Sequence, residues 1–145
     1  MCLVLYLASE RTRPAIAWDE SCPRFHVKHD DPDAALAAQQ FTKPHVHYIG
    51  SNEGCGCGFR QEHDYTSDDP EQEIAKRNNQ QYLYDYVASC LSDESSVELF
   101  SVWSGDEQLP VEHSRNITLP ELLDPNFSFL ERQLTTISLD VKIVG

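Results

Sequence analysis

With 145 residues and 40% apolar content the chain has the length of one compact domain and enough apolar side chains to fill its core, so a single domain over residues 1–145 is expected. Its 24 acidic against 11 basic residues give a formal charge of −13. With no cluster of Lys and Arg, that argues against nucleic acid or an anionic membrane surface as partner, because a phosphate binder must bring cations to its ligand. The same acidic surface keeps a small protein soluble and would suit a basic protein partner.

Residues 2 to 8, Cys-Leu-Val-Leu-Tyr-Leu-Ala, are apolar at successive positions, as a central strand covered on both faces requires. No positive residue precedes them, and Glu10 and Arg11 end the run too early for a signal segment or a membrane span, so a cytoplasmic protein is expected. In that reducing compartment the five cysteines read as buried small residues, metal ligands or reactive thiols rather than as disulfides. The Asn-x-Ser/Thr patterns at Asn116 and Asn126 carry no weight there. The Met-Cys opening resembles that of the N-terminal-nucleophile hydrolases in those two residues and the apolar run behind them. That resemblance implies a cysteine acting with its own α-amine once the methionine is removed. The plain reading of Cys2 is a buried strand cysteine, and whether the protein is an enzyme stays open.

Pro14, Trp18 and Pro23 punctuate an irregular stretch before a brief strand at Phe25 to Lys28. Asp31-Pro32 is a cap followed by a proline at the first helical position, and Asp33 adds a favourable charge to the first turn. The helix is expected to run to about Phe41, closed by Thr42-Lys43-Pro44. His45 to Gly50 then reads as a strand with His45, His47 and Ile49 on one face and Val46 and Tyr48 on the other. Gly50 to Gly54 permits a tight reversal, and Gly54, Gly56 and Gly58 bracket Cys55 and Cys57. Between Glu62 and Glu73 six carboxylates and no Lys or Arg mark a solvated acidic segment. Asp69-Pro70 starts a second helix to about Leu91, with Tyr82, Leu83, Tyr86, Val87 and Cys90 as its apolar stripe. A strand at Val97 to Ser104, a capping box at Thr118 to Glu121 and a cleanly alternating strand at Ile137 to Ile143, at or near a sheet edge, complete the chain. The fold class is α/β (α+β): a single-layer mixed sheet of about five strands with two main helices packed on it.

Chemistry concentrates between His45 and Phe59. A borderline metal such as zinc takes thiolate sulfur and imidazole nitrogen in tetrahedral array, and His45, His47, Cys55 and Cys57 offer two of each within thirteen residues, provided that the reversal brings the thiols back beside the imidazoles. The single intervening residue in His-x-His and Cys-x-Cys departs from the usual spacing of structural zinc modules. Two other readings compete for the same residues: a tight structural Gly-Cys turn, and a thiol-redox pair at Cys55 and Cys57 whose thiolates Arg60 would favour and Glu53, Glu62 and Asp64 would oppose. His26, His29, His63 and His113 read as solvated, with His26 in reserve as a replacement ligand. No hydrolase nucleophile elbow, phosphate-cradling loop or dinucleotide fingerprint is present.

Overall fold

The run Leu3–Ser9 forms strand β1, and all seven of its residues are buried. The computed structural model describes residues 2–29, 31–59 and 70–139. β1 lies inside a six-stranded mixed sheet with β2 (His26–Lys28), β3 (His45–Gly50), β4 (Ser96–Trp103), β5 (His113–Thr118) and β6 (Gln133–Ser138), in the order β2-β3-β1-β4-β6-β5. Every pairing is antiparallel except β5 with β6.

Paired residues of neighbouring strands share a face, so the register divides the core in two. Leu3, Leu5 and Leu7 of β1, with Ile49, Leu99 and Ile137, pack against Leu83, Tyr86, Val87 and Cys90 of helix α2 (Pro70–Cys90). Val4 and Tyr6, with Tyr48, Phe100 and Val102, pack against Ala34 and Ala37 of the short helix α1 (Pro32–Ala37). A helix on each face is why β1 has no polar side. Tyr82, expected on the buried stripe of α2, lies at its rim, 42% exposed and stacked on Phe25.

Local signals are honoured where they are strong. The Asp31 carboxylate accepts the Asp33 and Ala34 amides, and beyond Ala37 a 3-10 turn, Ala38–Gln40, carries the chain to Phe41. The capping box forms on a 3-10 turn, Leu119–Leu123, with the Thr118 amide and hydroxyl both donating to Glu121. Two strand expectations are corrected. β5, whose sequence His-Ser-Arg-Asn-Ile-Thr hides its period behind polar side chains, replaces the loop expected around His113 and raises the strand count to six. β6 starts four residues earlier than Ile137, because Gln133 and Thr135 face the interior and are buried there against Ser101 and Leu99 of β4. The rest of that expected strand beyond Leu139, and the acidic segment with His63 as far as Asp69, lie outside the described residues. Among the described residues no helix is long and apolar enough to cross a membrane.

Candidate metal centre

β3 runs antiparallel to β1, so as it leaves Gly50 the chain arrives at the start of β1. There it reverses within a few residues. The Ser51 amide and hydroxyl both donate to the Cys55 carbonyl, at 2.8 and 2.6 Å, and the Ser51 hydroxyl oxygen accepts the Gly58 amide at 3.1 Å. Gly54 takes φ +84°, where a side chain would be strained, and its carbonyl accepts the Tyr48 hydroxyl at 2.7 Å. From α2 the buried Asn79 clamps both limbs of the reversal. Its Oδ1 accepts the Asn52 amide at 3.2 Å, and its Nδ2 donates to Asn52 Oδ1 at 2.8 Å and to the Gly58 carbonyl at 3.2 Å. Gly58 is required at this spot, since a Cβ there would overlap Ser51 Oγ and Asn79 Nδ2.

The 3-10 turn Gly56–Phe59 then seats against the beginning of β1, with Gly56 on the backbone of Leu3 and Val4 and Cys57 Sγ 3.9 Å from the Leu3 carbonyl. Cys2, whose carbonyl accepts the Ser104 amide at 2.8 Å, stands beside it. The ligand atoms of Cys2, Cys55 and Cys57 all lie within 4.8 Å of one another, close enough to hold a metal ion. Sulfurs on one tetrahedral zinc stand roughly 3.8 Å apart, given bonds of about 2.3 Å, so a contraction of no more than about 1 Å closes the set. Cys55 is buried, Cys57 partly so and Cys2 exposed, which corrects the expectation of a buried strand cysteine at position 2. Burial pushes the Cys55 thiol up to about 12 against the Cys57 amide, which draws it down, with the Cys57 and Cys2 thiols adding to the rise, and burial also raises the Tyr48 hydroxyl, with Cys55 the next contributor. At neutral pH Cys55 is therefore a thiol, and a bound metal would take the place of its proton.

The histidines are elsewhere. His47 pairs with Leu7 and His45 with Ser9, whereas the thiols gather near Leu3. Four strand residues separate Leu7 from Leu3, about 13 Å, and the two imidazoles share the α2 face of the sheet while Cys55 packs with the α1 side. The expected set of His45, His47, Cys55 and Cys57 is thus split: the structure brings its two cysteines together with Cys2, and the reversal closes on itself instead of folding back over β3. His47 is 2% exposed, and its Nε2 accepts the Arg13 amide at 2.9 Å, which leaves its proton on Nδ1. His45 is exposed, with Nδ1 3.2 Å from the Thr12 hydroxyl. His26 is buried rather than solvated. It lies against Gly50 with Nδ1 donating to the Arg24 carbonyl at 3.1 Å, and it is not part of the thiol group.

Around His47 the charged groups form a network, although His47 Nδ1 and Arg13 Nε are buried without a hydrogen-bond partner among the described residues. The Arg13 guanidinium, 8% exposed, holds Asp93 at 2.6 and 3.1 Å, the Cys90 carbonyl at 3.2 Å and Glu94, which in turn meets Lys43 at 3.5 Å. Cys2 was legible as a partner for the glycine-bracketed pair through one relation that spacing does not display: a strand antiparallel to β1 delivers the residues after Gly50 to residues 2 and 3. Compared with protein-family models, curated proteins and solved structures, the chain matches none of them.

Proposed function

We propose that the protein binds a transition metal, zinc, through the thiolates of Cys2, Cys55 and Cys57. The observation that carries this reading is the convergence of three sulfurs from two separate parts of the chain onto one point within 4.8 Å. Soft thiolates select zinc, copper(I) and iron–sulfur chemistry; zinc has no d-electron preference of geometry and accepts whatever base three sulfurs present. The reversal supports the same reading, because Ser51, Tyr48 and Asn79 hold the Cys55–Cys57 backbone in place without using either sulfur. A thiol held protonated by burial, as Cys55 is, makes a poor free nucleophile, which favours a metal over a bare redox pair.

The test is metal content after purification under reducing conditions, with neither metal nor chelator added. Near-stoichiometric zinc is expected in the wild type and in His45→Ala, with loss in Cys55→Ser/Cys57→Ser and weakened retention in Cys2→Ser. A metal-free protein in which Cys2, Cys55 and Cys57 titrate freely would sink the proposal, as would zinc that survives removal of all three sulfurs.

A further inference from the structure

The three sulfurs differ in their access to solvent, and that difference has a chemical use. Cys2 is exposed, Cys57 is partly exposed with its sulfur beside Leu3, the residue after Cys2, and Cys55 is buried. Resting on the zinc reading, we infer that this centre is a peroxide-sensitive switch in which Cys2 and Cys57 join in a disulfide and release the metal.

Cys2 is the sulfur that an oxidant arriving from solvent meets first. Its thiolate attacks one oxygen of a hydroperoxide. The O–O bond breaks, Cys2 becomes a sulfenic acid, and the departing oxygen leaves as hydroxide, or as alkoxide from an alkyl peroxide. The Cys57 thiolate then attacks the Cys2 sulfur, the S–S bond forms, and the sulfenic oxygen leaves as hydroxide. The two sulfurs have together given up two electrons, the peroxide has gained them, and two protons from solvent complete water and water, or water and alcohol. Zinc, left with one thiolate, departs. A thiol reductant supplies two electrons and restores the site.

The choice of Cys57 over Cys55 follows from the backbone. Cys55 and Cys57 are two residues apart across the entry to a 3-10 turn whose limbs are tied by Ser51 and Asn79, so a small ring between them would have to bend a backbone that those bonds fix. Cys2 and Cys57 belong to two segments already in contact. Their bond would link the start of β1 to the turn with both hydrogen-bonded frames intact. Cys22, exposed on its own loop, and Cys90, buried at the end of α2, stand outside the group and serve as internal controls.

The experiment treats zinc-loaded protein with one equivalent of hydrogen peroxide, follows free zinc with a chelating dye and maps disulfides by mass spectrometry of alkylated digests. Expected are release of one zinc per chain, one Cys2–Cys57 linked peptide, free Cys22 and Cys90, and recovery of zinc binding after dithiothreitol. In Cys2→Ser, loaded at saturating zinc, the peroxide-dependent release, the rate with peroxide less the rate without it, should be at least tenfold slower, and Cys22→Ser should match the wild type. Zinc that stays bound under peroxide, release from Cys2→Ser at the wild-type rate, or a Cys55–Cys57 linkage in the wild type would overturn the switch while leaving the metal reading intact. A wild type that takes up no zinc before any peroxide is added overturns the metal reading itself. Should Cys2→Ser fail to load, the wild-type disulfide map decides.

Discussion

The two ends of the β1–β3 pair use polar residues in opposite ways. At the end where β3 begins, the buried Arg13 side chain ties Glu94 and the exposed Asp93 together, and His47 accepts the Arg13 amide. At the end where β3 finishes, the hydrogen bonds go to the backbone of the reversal, and three sulfurs are left facing one another. One end uses its polar groups to hold the N-terminal segment to the sheet; the other uses them to fix the backbone that carries Cys55 and Cys57. That contrast, more than the abundance of histidine or cysteine, separates a structural cluster from a candidate site.

The contrast can be broken most forcefully at Arg13. Replacing it by methionine leaves the buried Glu94 carboxylate with Lys43 and the Glu10 amide alone and releases Asp93, which should cost about 3 kcal/mol in urea unfolding, the low end for a broken buried pair, while zinc stoichiometry stays unchanged. An equal loss of metal would show that the two ends are not separable. Asn79→Ala probes the other end. It deletes three hydrogen bonds to the reversal and should cost about 1–3 kcal/mol. It should also lower zinc affinity about tenfold, as supporting partners of a metal site do; an unchanged affinity would mean that the thiols need no frame.

The mildest probe is pH. Burial first, and then the neighbouring imidazoles of His29 and His45, hold the pKa of His47 below its ordinary value. The unfolded chain therefore binds this proton more readily than the folded one, and the contribution of His47 is fully present above its unfolded value near 6.5 and lost as pH falls below it. Protonation would also set an Nε2–H against the Arg13 amide. Thermal unfolding at pH 7.5 and at 5.5 should show a drop in the wild type that is smaller in His47→Asn. Part of the drop persists through His26, whose pKa burial also lowers.

Much of the fold was legible because its strongest patterns are local. The two-faced apolar run of β1, the Asp31-Pro32 cap, the stripe on α2 and the shared face of His45 and His47 each follow from spacing alone. β5 was not, since an edge strand of His-Ser-Arg-Asn-Ile-Thr carries little hydrophobic alternation, and Gln133 and Thr135 concealed the buried start of β6. The site was half legible for a different reason. Glycines around Cys55 and Cys57 announced a close approach of backbone, but which residues would be approached depends on which strand β3 pairs with. Proximity in sequence favoured the histidines; antiparallel pairing with β1 chose Cys2.

The register of β1 carries a temporal consequence. Leu5 pairs with Ile49 on one side, and Leu3 pairs with Trp103 on the other, a hundred residues away. Joining them closes a long loop, a step whose entropy must be met before its contacts form, and such pairings come late and slowly in folding. The turn that carries Cys55 and Cys57 draws on β3 and α2 and lies within residues 45–90, whereas Cys2 reaches it only when β1 docks. The third sulfur thus depends on a pairing that the other two do not need, and the complete cluster reports that β1 has docked on β3.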